Sequence, residues 1–215
     1  MILENISTML QKGKAVEVKK LVQEALDQGV TPKEILNNGL IFGMSIIGRK
    51  FKNNEVFVPE VLIAARAMNA GMDVVKPALL ADGVEPIGKA IICTVKGDLH
   101  DIGKNLVKMM FEGQGIECID LGVDVHEDRV VDAIRENKPD IVCLSALLTT
   151  TMFSQKEVVE AITKAGLRDQ VMIMIGGAPV TQEYADQIGA DAYSPDAASA
   201  ADYAKNYLLK GEKNV

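Results

Sequence analysis

Ala90-Ile91-Ile92-Cys93-Thr94-Val95 runs without a break into Lys96-Gly97-Asp98-Leu99-His100-Asp101-Ile102-Gly103-Lys104-Asn105, an apolar stretch that passes through a glycine-bearing loop into the start of a helix. Its hydrophobicity is continuous rather than alternating, so both faces of the strand are covered, as in a parallel sheet wrapped by helices. The same grammar repeats downstream. Strands are expected at Ala90–Val95, Ile116–Leu121, Ile141–Leu144 and Val171–Ile175, with a weaker fifth near Asp191–Tyr193. Amphipathic helices are expected at Ile102–Glu112, Glu127–Asn137, Ser154–Ala165, Gln182–Ile188 and Ala197–Leu208. Asp124 and Glu127, spaced Asp-x-x-Glu, predict the N-terminal cap of the second of these helices. Residues 88–215 thus read as an α/β domain, a doubly wound five-stranded parallel sheet of the flavodoxin or Rossmann kind. Such sheets bind their ligands at the carboxyl ends of the strands.

Upstream the grammar is helical only. Val18, Leu21, Val22 and Ala25 recur at helical spacing, and Thr31-Pro32-Lys33-Glu34 supplies a capping box with Pro at the first helical position. The helix that it opens carries an apolar stripe at Leu36, Leu40, Met44 and Ile47. Another begins near Pro59 with Val61, Ala65, Met68, Met72, Val75 and Leu79, and a weaker helix precedes them all. Residues 1–83 are therefore expected to form a small helical bundle, and Asp82-Gly83-Val84-Glu85-Pro86 reads as the linker.

Composition narrows the partners. With 30 acidic against 23 basic residues the net charge is −7, a field that repels phosphate backbones and argues against nucleic acid. No apolar run is long enough to span a membrane. The N-terminus lacks the basic start and small-residue cleavage site of a signal peptide, so a cytoplasmic location is expected. Cys93, Cys118 and Cys143 are odd in number, form no Cys-x-x-Cys pair and lie in or beside apolar runs. They read as small buried hydrophobes.

The chemistry is expected on the loop after the first strand. His100 stands where this architecture places its ligand, and Asp98, two residues earlier, is able to hold one imidazole nitrogen and leave the other free for a metal. Gly97 and Gly103 permit a sharp turn and a close approach of the backbone to a bulky ligand. An Asp-x-His pair on a loop also fits a local hydrogen bond or a helix cap. A bare metal site would need further ligands, and the other histidine, His126, opens a surface helix. A single protein ligand makes sense where a macrocycle supplies the in-plane ligands.

Asp98-x-His100-x-x-Gly103 resembles the Asp-x-His-x-x-Gly signature of cobalamin-binding domains, and two companion motifs follow in order. Ser145-Ala146-Leu147, at the end of the third expected strand, resembles their Ser-x-Leu, and Gly176-Gly177, at the end of the fourth, their Gly-Gly pair. The helical half is similar to the cap bundle of cobalamin-dependent methionine synthase and of the corrinoid proteins that serve methanol, methylamine, betaine and methoxyaromatic demethylation. Glu55-Val56-Phe57-Val58-Pro59-Glu60-Val61-Leu62 and Ala65-Arg66-Ala67-Met68 resemble that cap's characteristic segment.

The resemblance implies a bound cobalamin or related corrinoid, cycling between cob(I)alamin and methylcobalamin, with His100 as the lower cobalt ligand in place of the displaced nucleotide base. It implies Asp98 as the proton-linked partner of His100, and a hydroxyl relay at Thr151, where the family has a serine. Thr149 joins Ser145 and Leu147 in lining the slot below the corrin, and Gly176 and Gly177 make room for the nucleotide tail. Phe57 and Met68 sit where the cap would cover the upper face, at a spacing that plain helix packing also explains.

A methyl carrier follows from the resemblance, inactive without its partners: a substrate-specific methyltransferase, an acceptor methyltransferase using tetrahydrofolate or a thiol, and a reductive activator of the corrinoid. Rival readings are the small subunit of an adenosylcobalamin mutase, a cobalamin-dependent regulator, and a flavodoxin-like or receiver domain without corrin. The helical half disfavours the mutase, the acidic charge a DNA-binding regulator, and the clustered motifs a corrin-free domain.

Overall fold

The computed structural model describes residues 1–211 and divides into two compact units. The first comprises Met1–Pro86, with which the turn Glu112–Gly115 is grouped; the second comprises 87–111 and the chain from Ile116 onward.

The helical unit contains α1 (Ile2–Gln11), α2 (Ala15–Asp27), a single turn α3 (Pro32–Glu34), α4 (Phe42–Lys52) and the long α5 (Val58–Ala81). Its start signals act as expected. The Thr31 hydroxyl accepts from the Glu34 N–H at 3.3 Å, and the Thr31 N–H donates to the Glu34 carboxylate at 3.3 Å. The helix opened by this box is not uniform, because a seven-residue π-helical stretch, Ile35–Ile41, joins α3 to α4. The wider turn moves the start of the buried stripe from Leu36, which is half-buried, to Ile35, and carries it on through Leu40, Met44 and Ile47. Gly39 and Gly43 lie directly against α1: a Cβ on Gly43 would stand 3.1 Å from the Ser7 Cα, and one on Gly39 the same distance from the Ile6 side chain. A close helix crossing of this kind is a property of packing and not of hydrophobic period. With Ile6, Leu10, Val18, Val22, Val61, Met68 and Val75, the stripe forms this unit's core.

The α/β unit alternates β1 (Lys89–Val95), α6 (Ile102–Glu112), β2 (Glu117–Val125), α7 (Glu127–Asn137), β3 (Ile141–Ser145), α8 (Met152–Lys164), β4 (Met172–Gly176), α9 (Gln182–Ile188), β5 (Ala192–Tyr193) and α10 (Ala197–Gly211). All neighbouring strands pair parallel, in the order β2-β1-β3-β4-β5. Ile91, Cys93, Val142, Leu144, Ile173 and Ile175 pack on one face with residues of α7, α8 and α9. The alternate residues Ala90, Ile92, Ile141, Cys143, Met172 and Met174 are buried too, which is why the strands read as unbroken apolar runs. The fold is the five-stranded parallel α/β sheet that the sequence predicts.

Two local expectations differ from the structure. β2 continues four residues past Leu121. Its pairing with β1 slips twice, from Ile92↔Asp120 to Cys93↔Gly122 and then to Val95↔Val125, so the extra length is a bulged extension that breaks the apolar pattern. Asp124 does not cap α7. His126 holds the N-cap position without a side-chain bond, and Asp124 takes a left-handed backbone with φ 53°. Beside the motif, Lys104 is 3 % exposed and ion-paired to Asp120 of β2 at 2.6 Å. Its ammonium also donates to the Asn105 side chain at 2.7 Å, which completes the pairing that a buried charge requires.

Candidate functional site

The strand order reverses direction between β1 and β3, and at such a switch point adjacent strands send their loops apart and leave a crevice at their carboxyl ends. The pairing aligns Thr94 of β1 with Ser145 of β3, and Ser145 with Gly176 of β4, in one row across that edge. Asp98 and His100 leave β1 just beyond it, Leu147 and Thr151 leave β3, and Gly177 leaves β4.

Asp98 is the centre of the arrangement. It is fully buried, and both carboxylate oxygens are occupied. Oδ1 lies 2.7 Å from His100 Nδ1 and accepts from the His100 N–H at 3.0 Å. Oδ2 accepts from the Thr151 hydroxyl at 2.7 Å and from the Leu147 N–H at 2.7 Å. Burial alone would push this carboxyl up. The bonds from Thr151, the His100 N–H, the Leu147 N–H and the His100 ring outweigh it and hold the group well below its ordinary value of 3.8. An ionised Asp98 accepts only, so it fixes the proton of a neutral imidazole on Nδ1 and leaves the Nε2 lone pair unused. No hydrogen bond to Nε2 occurs among the described residues, and the ring is 52 % exposed. The ring is thus oriented from behind and open in front, an arrangement that suits a metal ligand.

The depressed acidity has a sign that can be measured. The folded-state value lies below the unfolded one, so Asp98 stabilises the fold fully above about pH 4 and loses that contribution as pH falls toward the folded value. The stability gap between wild type and Asp98→Asn is therefore expected to be constant from about pH 7 to 5 and to shrink below about pH 4 in urea titrations.

Large apolar side chains stand exposed around the imidazole, which is unusual for a surface without a ligand. Leu99 and Ile102 are each 72 % exposed beside His100, and Leu147 and Leu148 project from the β3 loop. Gly103 opens onto empty space, with no atom within 4 Å of where a Cβ would point. The residues thus fit a broad, largely apolar macrocycle that brings its own in-plane ligands and takes one nitrogen from the protein.

The glycine pair divides in role. Gly177 has φ 133°, and a Cβ there would fall 1.8 Å from the Ala146 carbonyl oxygen, so only glycine fits. Gly176 has only the Ser194 oxygen, at 3.8 Å, near its Cβ direction, so the space beside it is open. Ser145 is half-buried at the strand end, and Thr149 is exposed on the same loop as Leu147. Asp98, His100, Leu147 and Thr151 are brought into one network, while Ser145, Gly176 and Gly177 border the row beside it. The other two named residues lie in the helical unit, where Phe57 is the exposed N-cap of α5 and Met68 is buried in the core.

Two polar residues, Thr94 and Gln155, are not marked in the sequence, and a third, Asp124, has a partner other than the helix end expected for it. The Thr94 hydroxyl, fully buried, donates to the His100 carbonyl at 2.8 Å. Gln155 of α8, also fully buried, donates to the Leu144 and Gly176 carbonyls at 3.0 and 3.1 Å and so ties the ends of β3 and β4 together. Asp124 accepts from the Gly97 N–H at 2.7 Å. A polar residue at the end of an apolar run was the available signal for Thr94; nothing local marks Gln155. Cys93 and Cys143 are buried, and burial pushes the Cys93 thiol up to about 12, so it remains a core residue.

Comparison with known proteins agrees with this geometry. Residues 88–202 match the B12 binding domain, and residues 2–76 match a second model, also described as a B12 binding domain. The chain is 42 % identical to trimethylamine corrinoid protein 1 of Methanosarcina acetivorans over 192 residues, which cover 88 % of this chain and 89 % of the relative. It is 44 % identical to monomethylamine corrinoid protein 1 of the same organism, with the same coverage of both. Among solved structures it is similar to the methanol:cobalamin methyltransferase complex MtaBC of Methanosarcina barkeri, with TM-score 0.85 and 29 % identity, covering 97 % of this chain and 80 % of that one.

Proposed function

The chain belongs to the B12-binding corrinoid proteins of methyltransferase systems, and from that premise we propose that it is a methyl carrier, receiving the group from a substrate-specific methyltransferase and presenting it to a second one. The observation that carries this reading is the buried Asp98 carboxylate 2.7 Å from Nδ1 of a half-exposed imidazole, at the carboxyl edge of the sheet. When bound, the corrinoid supplies a cobalt that accepts and releases a methyl group, chemistry that no side chain here offers.

The protein's residues set how that cobalt is held. His100 would hold the cobalt through Nε2, and Asp98 keeps the ring in the tautomer and orientation that leave this nitrogen open. The same carboxylate would hold the ring in place whether or not Nε2 is engaged. The Thr151 hydroxyl and the Leu147 N–H keep the carboxylate charged throughout. Ser145, Leu147 and Thr149 line the slot below the macrocycle. The open space at Gly176 admits the nucleotide tail, and the backbone at Gly177 shapes its wall.

Relatives named for trimethylamine and monomethylamine favour a methylated amine as donor, and the likeness to a methanol methyltransferase complex supports a methyltransferase partner that docks on this chain. The acceptor is tetrahydrofolate or a thiol, and a reductive activator restores the cobalt after oxidation. No helix among the described residues is long and apolar enough to cross a membrane.

The test loads the protein with cobalamin under reducing conditions and mixes it with trimethylamine, monomethylamine or methanol methyltransferase and the matching donor. About one cobalt per chain is expected to survive gel filtration, as for a single macrocycle site. A methyl-cobalt absorbance should then appear with an amine donor. Retained cobalt with no methylation by any of the three pairs would overturn the carrier reading.

A further inference from the structure

The extension of β2 ends in a backbone that ordinary strands avoid. Two slips in the pairing with β1 leave residues of β2 unmatched, and Asp124, in the last of these bulges, has φ 53°. Left-handed backbone at a residue other than glycine persists only where its surroundings impose it, and bulges beside binding sites serve to re-aim a side chain. Here the re-aimed group meets the loop that carries the imidazole. The Asp124 carboxylate accepts from the Gly97 N–H at 2.7 Å, and the Asp124 N–H donates to the Asp98 carbonyl at 3.0 Å. Gly97 itself has φ 81°, so a second left-handed residue stands at the other end of the side-chain bond, and the main-chain bond lands on the next residue, Asp98.

We propose that Asp124 is a positioning residue for the cobalt ligand, gripping the backbone of Gly97 and Asp98 from the neighbouring strand and so fixing where the His100 imidazole points. The chain of contact is short. Asp124 holds the main chain of Gly97 and Asp98, Asp98 holds His100 Nδ1 at 2.7 Å, and the Thr94 hydroxyl holds the far end of the loop at the His100 carbonyl. Without the Asp124 carboxylate the loop between Val95 and His100 keeps its β3 attachments through the Asp98 carboxylate, but on the β2 side it keeps only the main-chain bond from residue 124 to the Asp98 carbonyl. This inference rests on the assignment of His100 as the ligand.

The experiment compares wild type with Asp124→Gly, Asp124→Ala and Asp124→Asn in the full chain. Glycine accepts the left-handed backbone but offers no side-chain oxygen. Alanine lacks the oxygen and also strains the backbone, whereas asparagine keeps both an acceptor oxygen and tolerance of this conformation. Each protein is loaded with cobalamin and reduced to the Co(II) form. Electron paramagnetic resonance then reads the fraction whose cobalt couples to an isotopically labelled histidine nitrogen. In the unloaded protein, amide exchange at Gly97 reads the loop directly.

The ratio of imidazole-bound to imidazole-free cobalt is expected to fall about fivefold in Asp124→Gly, the equivalent of one hydrogen bond, and further in Asp124→Ala. Asp124→Asn should stay within about twofold of wild type, and Gly97 exchange should speed up in the glycine and alanine proteins only. Glycine and alanine proteins that match wild type in ratio would overturn the proposal, as would an asparagine protein that falls with them. A wild-type protein whose cobalt shows no histidine nitrogen at all would instead sink the ligand assignment beneath it.

Discussion

Loaded with cobalamin, His100→Ala is expected to keep its corrinoid and lose the nitrogen below the cobalt. On the proposed reading the macrocycle and its tail would meet the protein over an area far larger than one imidazole, across the exposed Leu99, Ile102, Leu147 and Leu148 and the open space at Gly176. Retention should therefore survive the change. The absorbance of the methyl-cobalt form should move to that of a form without an axial nitrogen, and methyl transfer should slow by at least the roughly 10- to 100-fold that loss of an outer partner of a metal ligand costs. The control is His126→Ala, since His126 opens α7 on an exposed surface and makes no side-chain cap. A shifted spectrum in His126→Ala with an unshifted one in His100→Ala would transfer the ligand role and break the link between the Asp98 network and the metal.

The largest effect on folding is expected from Gly177→Ala. Its methyl carbon would lie 1.8 Å from the Ala146 oxygen and 2.7 Å from the Ala146 carbonyl carbon, both backbone atoms, and φ 133° is itself unfavourable for alanine. Neither problem yields to a rotamer change. A loss of about 3–5 kcal/mol, read from urea midpoints, is expected from the clash and strain together. The displaced segment is the one that presents the Leu147 N–H to Asp98, so any folded fraction should also show a weakened imidazole ligand. Gly176→Ala is the informative contrast. With its nearest neighbour at 3.8 Å the added methyl costs the fold little, but it enters the space assigned to the nucleotide tail, so corrinoid affinity should fall while the urea midpoint holds. Equal midpoints for the two variants would show that the backbone at Gly177 relaxes freely.

The strands were legible because a sheet covered on both faces leaves an unbroken apolar run, and Ile91 to Val95 are all buried. Legibility ended where burial stopped being one-dimensional. The extension of β2 through Gly122, Val123 and Asp124 reads as a loop, because its geometry is set by slippage against β1 and not by its own hydrophobicity. The π-helical stretch Ile35–Ile41 answers to α1 passing over Gly39 and Gly43, contacts with Ile6 and Ser7 that lie far apart in the chain. Lys104 is buried because Asp120, far from it in sequence but on the neighbouring strand, supplies its counter-charge. At the site, Asp98, His100 and Thr151 meet in one network in which the threonine hydroxyl reaches Asp98. What the motif could not disclose was its support: Thr94, Gln155 and Asp124 act through main-chain atoms, which carry no residue-specific signature.

The partners of Asp98 come from distant parts of the chain. The Leu147 N–H is 49 residues downstream of it and the Thr151 hydroxyl 53, whereas His100 is its near neighbour. A growing chain therefore has its imidazole and carboxylate side by side long before the groups that keep the carboxylate charged and dry have been made, and β3 must dock against β1 before the two meet. Closing a loop of that length carries an entropy cost that only the finished sheet repays. Competence to hold cobalt is in this way delayed until the sheet's central pair of strands is in place, and a chain truncated before residue 145 would offer a histidine to passing metal with none of the control that makes it a ligand.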